Sequence, residues 1–222
     1  MLGRLLDAQC WEGYTQTRLP TADIPQPLRE VDPNLRYQPL VELQKRDADR
    51  VAKIGSHVFS YHVARQYPGW TTFRTEIENT LRNVITKLKP PEFSRIGLRY
   101  INAIRPREHF VHGLADTNIV IKVGDHTLTE SVNVNYNRTF GNHTVTVKVA
   151  TPDLVAGYIG PGYSLLCDID VGSKAGDTIA GYDAAIQWII DAHALEKTEF
   201  FGILPKNIID KLNAASKGNT NG

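Results

Sequence analysis

The sequence predicts an α+β protein with two halves that each carry an antiparallel sheet. Its strand-like segments alternate apolar and polar residues, which is typical of sheets with one buried and one wet face. Its longer helical segments stand apart from the runs of strands instead of alternating with them, which argues against a Rossmann-type sheet. A chain of 222 residues with 41% hydrophobic content is long enough for one fair-sized core or two small ones.

The first half, residues 1–106, is predicted to be a split β-α-β (ferredoxin-like) arrangement without its leading strand. Its expected elements are a helix over 1–14, an extended proline-rich loop over 18–34, strands over 35–46 and 51–64, a helix over about 71–88 and a strand over 93–105. Because the arrangement requires a strand before the first helix, one sheet position would be vacant and its neighbour would be an unpaired edge. Such an edge favours strand addition from another chain, so we expect dimerisation or aggregation.

The second half, residues 107–214, is predicted to be antiparallel β followed by C-terminal helices. The expected strands are 117–123, 127–138, 142–151 and 163–172, and the expected helices are 178–197, capped by Asp177, and 205–214. The alternation is clearest where valines at 145, 147 and 149 stand against polar neighbours. Residues 215–222 are too polar to pack and are expected to be a disordered tail.

Composition excludes several classes of function. With 25 basic and 24 acidic residues, the net charge of +1 gives no general attraction to nucleic acid or to an anionic membrane. No window approaches the roughly 18 apolar residues of a membrane span, and the N-terminus does not resemble a signal peptide. Cys10 and Cys167 are far apart and are interpreted as free thiols of a reducing compartment. The sequence therefore predicts a cytoplasmic protein without a membrane anchor.

The most informative stretch runs from Pro90 to Ile104, where two prolines precede a strand with two different faces. One face is apolar except for Asn102, whose amide would be costly to bury without a partner, so we expect it to bond the backbone of a neighbouring element. The other face carries Arg95, Arg99 and Arg105. We expect these arginines to point away from the core, toward a helix, a partner or a ligand.

This stretch resembles the central motif of a bacterial and archaeal family that is sporadically distributed and has no established activity. The motif is a Pro-Pro step followed by Gly-Leu-Arg-Tyr-Ile-Asn, here Pro90-Pro91 and Gly97 to Asn102. The Tyr67-Pro-Gly-Trp step and the late helix that runs into two phenylalanines also fit the family. The resemblance implies structural roles for Gly97, Tyr100 and Asn102, and it supports the fold more than any function. Family members usually begin with a strand that this chain lacks.

No grouping of residues predicts a catalytic site, a metal site or a cofactor. His109 and His112 are the closest histidine pair, but no third ligand is nearby, and exposed loop residues would explain them. Asp168 and Asp170 share a strand face and could bind a metal or divide acid and base roles, although a solvated face explains them equally well. The glycine-rich segment 157–162 joins two strands, which is a weak context for phosphate binding.

Two hypotheses from different classes remain open. The leading one is a non-catalytic interaction protein whose partner is another protein or a second copy of the chain, encoded in an accessory-genome cassette such as phage defence or toxin–antitoxin. The alternative is a binding protein or enzyme acting on RNA or another phosphate ester, with Arg95, Arg99 and Arg105 as electrostatic stabilisers. Nucleic acid is the less favoured ligand because the arginine side of this strand carries no aromatic residue.

Overall fold

A computed structural model describes residues 2–6, 9–87, 92–155 and 161–218. The Pro90-Pro91 step, residues 157–160 of the glycine-rich segment and residues 219–222 of the expected tail lie outside the described residues. The described residues form two compact units, of which the first ends at Lys87 and the second begins at Glu92. Each unit has its own antiparallel sheet, and the α+β class is therefore confirmed.

The first unit consists of a four-stranded sheet and a long helix. In chain order the elements are α1 (Leu2–Leu6), β1 (Thr15–Arg18), α2 (Gln26–Val31), α3 (Pro33–Arg36), β2 (Val41–Lys45), β3 (Arg50–Ile54), β4 (Phe59–Val63) and α4 (Trp70–Lys87). The sheet order is β1-β2-β3-β4, and every pairing is antiparallel. This meander differs from the expected split β-α-β order. The split β-α-β order led us to expect a vacant sheet position. The observed order β1-β2-β3-β4 has no such vacancy between its described strands.

Two local features explain why the strands of this sheet differ from those expected from the sequence. The four residues of β1 are all exposed and carry no apolar alternation, so their strand is defined only by backbone pairing from Thr15↔Gln44 to Arg18↔Val41. The expected strand over 35–46 is shortened because Pro33 begins α3, and the Asp32 side chain caps that helix by accepting from the Asn34 N–H at 2.8 Å.

Gly55 divides the expected strand over 51–64 into β3 and β4. Its N–H donates to the Val58 carbonyl oxygen at 2.8 Å, which closes the turn between the two strands. A Cβ at this position would lie 2.6 Å from the Gln38 carbonyl oxygen and 2.8 Å from Val58 Cγ1. Only glycine therefore fits this close approach of two backbone segments.

The core of the first unit includes residues of the sheet, of α4 and of the N-terminal segment. The helix expected over about 71–88 is observed as α4, and its apolar stripe has Phe73, Leu81, Val84 and Ile85 buried. Val84 belongs to the same buried cluster as Leu5, Trp11, Leu40, Val41, Leu43, Ala52 and Ile54. Trp11 lies in a short 3-10 turn rather than in the expected helix over 1–14, and its indole N–H donates to the Leu5 carbonyl oxygen at 2.7 Å.

The second unit is larger and contains the central motif. Its elements are β5 (Glu92–Phe93), β6 (Gly97–Ile104), α5 (Pro106–His109), β7 (Ile121–Val123), β8 (His126–Leu128), β9 (Asn133–Phe140), β10 (His143–Ala150), α6 (Pro152–Val155), β11 (Leu165–Ser173), β12 (Ile179–Ala180), α7 (Tyr182–Ile203) and α8 (Lys206–Gly218). The main sheet has the order β6-β11-β10-β9 and is antiparallel throughout. Two small two-stranded sheets, β12-β5 and β7-β8, accompany it.

The strand β6 belongs to the second unit, not to the first half as expected. All eight of its residues pair with β11, from Gly97↔Gly172 to Ile104↔Leu165. The expected boundary after residue 106 instead falls between the described residues 87 and 92. Alternation along 93–105 reveals a strand, but it does not reveal which strand is its partner, and the true partner is far along the chain.

The helix α7 packs against the main sheet and is longer than expected. Its buried stripe consists of Ala185, Trp188, Ala192, Glu196, Glu199 and Ile203. It begins at Tyr182 with Gly181 as its N-cap, not Asp177, because Ile179–Ala180 pairs with β5. The final helix α8 continues to Gly218, so the tail expected from residue 215 is helical as far as this residue. None of the helices in the described ranges combines the length and the apolar character that a membrane crossing requires.

Candidate functional site

The main sheet of the second unit has two unlike faces. The inner face carries Tyr100, Asn102 and Cys167 and lies on the side of α7, since Tyr100 contacts His193 of this helix. The strand register places a second set of residues together on the opposite side of the sheet, which we call the outer face. Its members are Gly97, Arg99, Ile101 and Ala103 of β6, Leu166, Asp168, Asp170 and Gly172 of β11, Thr144, Thr146, Lys148 and Ala150 of β10, and Asn133, Asn135, Asn137 and Thr139 of β9.

Arg99 on the outer face forms a bidentate pair with Asp168. Its Nε donates to Oδ1 at 2.7 Å and its Nη2 donates to Oδ2 at 2.6 Å. The Asp168 side chain is 11% exposed and the Arg99 side chain is 53% exposed, so the guanidinium covers the carboxylate. These hydrogen bonds raise the pKa of Arg99, and two parallel charge-assisted bonds fix the orientation of both groups.

Arg95 makes a looser contact with the next carboxylate along β11. Its Nη2 lies 4.0 Å from Oδ2 of Asp170, and its side chain is 74% exposed. The guanidinium lies beside Gly172, where an added Cβ would be 3.8 Å from Nη2. A Cβ at Gly97 would meet no atom closer than 3.6 Å, so packing does not require glycine at this position of the central motif.

Arg105 is separated from the other two arginines by its contacts. Its Nη1 donates to Glu108 Oε1 at 3.0 Å and its Nη2 donates to the Tyr163 hydroxyl at 2.7 Å. The guanidinium also lies 4.8 Å from the centre of the Tyr163 ring, which is a cation–π distance. The structure thus brings Arg95 and Arg99 together with two aspartates and places Arg105 against a tyrosine.

The amide of Asn102 does not make the expected bond to a neighbouring backbone. Its Nδ2 is buried and meets no hydrogen-bond acceptor among the described residues. It lies on the inner face, opposite Cys167 of β11. Tyr100, the aromatic member of the motif, has its hydroxyl 3.4 Å from Nδ1 of His193 on α7.

Two glutamates of α7, Glu196 and Glu199, are buried on the side of the inner face. The helical pattern of the sequence does not distinguish them from solvent-exposed glutamates. Glu199 accepts from Arg138 Nη1 at 2.8 Å and from the Tyr136 hydroxyl at 3.2 Å. Glu196 lies 3.7 Å from Nδ1 of His193, and burial raises its pKa to about 7. Burial, followed by the charge of Glu196, raises the pKa of the Cys167 thiol to about 12. With a pKa near 7, the Glu196 carboxyl can exchange a proton near neutral pH.

Four other histidines make polar or ring contacts. The Nδ1 atom of His109 accepts from the backbone N–H of Arg105 at 3.0 Å, and the backbone N–H of His112 donates to Asp116 Oδ2 at 2.7 Å. His57 pairs with Glu30 at 2.8 Å, and the ring of His143 stacks on Trp188 at 4.6 Å. Within the described ranges, no group of three His, Cys, Asp or Glu side chains could hold a metal ion.

A cavity of about 440 Å³ opens beside α6 in the second unit. His112, Glu130, Asp153 and Tyr163 are among its lining residues. The Ser131 hydroxyl donates to Asp153 at 2.6 Å, and hydrogen bonds from this hydroxyl and Thr151 lower the pKa of the Asp153 carboxyl. Glu130 therefore contributes a second carboxylate to the lining of this cavity.

A second cavity, of about 380 Å³, lies in the first unit. Its lining combines Tyr14, Lys45, Tyr61, Glu76, Asn79 and Asn83. No local sequence pattern groups these residues, because they come from the N-terminal segment, two strands and a helix that only the fold brings together. Asn79 and Asn83, four residues apart on the predicted helix, were the one signal in the sequence for a polar helical face here.

Comparison of the chain with protein-family models, with curated proteins and with solved structures found no match.

Proposed function

We propose that the protein is a non-catalytic interaction protein that binds a partner protein through the outer face of the second unit. The observation that carries this proposal is the exposure of Ile101, which is 60% accessible beside the Arg99–Asp168 pair. An exposed isoleucine on a sheet face, framed by oriented charged groups, has the composition of an interface centre with a polar rim.

The exposed charges on and beside the outer face indicate the chemistry of the partner. The basic side chains reach solvent further than the acidic ones, since Arg95 and Arg99 are 74% and 53% exposed while Asp170 and Asp168 are 37% and 11% exposed. Lys148 of β10 is also exposed. The matching surface of a partner protein carries carboxylates for these cations and an apolar side chain for Ile101. The three exposed asparagines of β9 add amide donors and acceptors at the rim.

The phosphate-directed alternative has less support from this geometry. Asp168 and Asp170 stand next to the two arginines, and their negative charges would repel a phosphate that approached the guanidinium groups. The paired residues of the outer face include no aromatic side chain on which a base could stack. Neither cavity described above is lined by Arg95 or Arg99.

The resemblance of the central motif to a sporadically distributed family supports an accessory-genome role for such an interaction. In a phage-defence or toxin–antitoxin cassette, the gene of the partner lies next to the gene of this protein. Repeated occurrence of one small neighbouring gene, whose product has an acidic surface, is the expected genomic observation. Placement among unrelated housekeeping genes would count against this role.

A photo-crosslinking residue at position 101 of the full chain tests the interface directly. The partner protein captured by the crosslink is identified and purified. The Kd of its complex with the wild-type chain, with Ile101→Asp and with Arg95→Glu is then measured by calorimetry. We expect each substitution to weaken binding about tenfold or more, because one removes the apolar contact and the other reverses an exposed charge. Val123→Asp is the matched control, since Val123 is 62% exposed in the β7-β8 hairpin of the same unit.

Equal effects of Ile101→Asp and Val123→Asp would overturn the proposed surface. Capture of RNA at position 101 would favour the phosphate-directed alternative. A doubled mass in light scattering, lost with Ile101→Asp, would identify the partner as a second copy of the chain and would overturn the acidic-partner proposal.

A further inference from the structure

We propose that the cavity of the first unit is a binding site for a small hydroxylated organic anion. Its volume of about 380 Å³ falls within the roughly 300–1,000 Å³ of small-molecule sites. Its lining residues come from separate parts of the chain, and they combine one unpaired charge with neutral hydrogen-bonding groups. This inference is independent of the outer face of the second unit.

The one carboxylate in the lining, Glu76, is neutralised by an arginine that lies outside the lining. Arg50 Nε lies 2.6 Å from Oε2 and Arg50 Nη2 lies 2.8 Å from Oε1, and the Arg50 side chain is only 10% exposed. The Tyr61 hydroxyl donates a further bond to Oε2 at 3.2 Å. A carboxylate with these three partners is satisfied, so it is a poor site for a ligand cation.

Lys45 supplies the charge that remains in the cavity. It forms no ion pair with any carboxylate of the described residues, whereas Lys53 on the adjacent strand pairs with Glu42 at 3.3 Å. The Lys45 Nζ lies 6.0 Å from the centre of the Tyr14 ring. The charge in the cavity that is not balanced is therefore positive, and it favours an anionic ligand.

The neutral wall of the cavity suits hydroxyl groups. Asn79 and Asn83 lie one turn apart on α4, and Asn83 Nδ2 donates to the Asn79 carbonyl oxygen at 2.8 Å, which orients its amide. Amides both donate and accept hydrogen bonds, as do ligand hydroxyls. Burial raises the pKa of both Tyr14 and Tyr61, so both phenols stay protonated. The single O–H of Tyr61 is donated to Glu76, which leaves only the Tyr61 oxygen as an acceptor for a ligand hydroxyl. The half-buried Tyr14 ring offers an apolar plane for the carbon skeleton of a ligand.

Cys10 provides a reporter for occupancy because its half-buried thiol belongs to the lining, while the other cysteine of the chain, Cys167, is buried. The experiment measures the rate of Cys10 alkylation in the full chain by mass spectrometry, together with Kd by calorimetry. The probes are gluconate, glucose 6-phosphate and uncharged glucose. We expect at least one of the two anions to slow alkylation fivefold or more and to bind at least tenfold tighter than glucose. The two anions distinguish a carboxylate from a phosphate as the bound group.

Lys45→Gln tests the origin of the anion preference. This change removes the charge but keeps a hydrogen-bonding side chain, so we expect the Kd of the anion to rise at least tenfold while the affinity for glucose is unchanged. Lys53→Gln is the control and should bind like wild type. The proposal is wrong if neither anion protects Cys10, if glucose protects equally well, or if Lys45→Gln, with an unchanged Tm, binds the anion like wild type.

Discussion

At the scale of the residue, the Nδ2 atom of Asn102 is a buried donor that meets no acceptor in the part of the chain that the structure describes. Leaving such a group unsatisfied costs about 1–3 kcal/mol, and leucine has a similar volume without the polar atoms. We therefore expect Asn102→Leu to raise the free energy of unfolding by about 1 kcal/mol in urea titrations. Asn135→Leu, at an exposed position of β9, is the control and should change stability by less than about 0.5 kcal/mol. A loss of stability in Asn102→Leu would show that the amide has an essential partner.

Gly55 is a residue at which a single methyl group should be destabilising. A Cβ there would lie 2.6 Å from the Gln38 carbonyl oxygen, so either the turn or the segment before β2 must move. We expect Gly55→Ala to lower the free energy of unfolding by about 2 kcal/mol, within the roughly 1–3 kcal/mol range of overpacked sites. Gly202→Ala has no atom within 4 Å of the new Cβ and serves as the control. Equal stability of the two variants in urea would contradict the close approach.

At the scale of the element, the buried stripe of α7 makes the stability of the second unit depend on pH. Burial raises the pKa of Glu196 from 4.5 to about 7. The folded state therefore binds a proton more tightly than the unfolded state does. This contribution to stability is complete below about pH 4.5 and is lost as pH rises toward 7 and beyond.

We expect Glu196→Gln to remove this dependence. Relative to wild type, the variant should gain on the order of 3 kcal/mol in free energy of unfolding between pH 4.5 and pH 8, since each unit of pKa shift corresponds to about 1.4 kcal/mol. His193, whose pKa is lowered by burial, acts in the opposite direction at low pH, and it is present in both proteins. Urea titrations at several pH values provide the measurement, and parallel curves for the two proteins would refute a raised pKa of Glu196.

The elements that sequence patterns could predict are those whose burial follows a simple period. The stripe of α4 and the valines of β10 are examples, and both are confirmed. β1 could not be predicted, because all of its residues are exposed and only backbone pairing defines it. The arginine face of β6 was visible as alternation, but its aspartate partners depend on a pairing that no local pattern contains. The grouping of the residues around the cavity at Lys45 could not be predicted for the same reason.

At the scale of the whole molecule, the two compact units have separate sheets and separate long helices. We expect a fragment of residues 92–222 to fold alone, with native-like circular dichroism and dispersed amide signals, because the main sheet and α7 are complete within it. A fragment of residues 107–222 is the control, since it starts at the boundary expected from sequence and lacks β6. It should be unfolded or aggregated, because β11 loses one of its two neighbouring strands along eight residue pairs and becomes an unpaired edge. Equal folding of both fragments would show that β6 is dispensable.

The position of β6 in the sheet has a consequence for synthesis on the ribosome. Arg99 and Asp168 lie 69 residues apart in the chain, so at about 5–20 residues per second β6 emerges roughly 3 to 14 s before β11. Meanwhile β9 and β10 can close their hairpin through the two-residue Gly141-Asn142 turn. Leu98, Tyr100 and Ile104 remain uncovered throughout this interval, which makes the nascent β6 segment a natural target for a chaperone that binds extended apolar sequence.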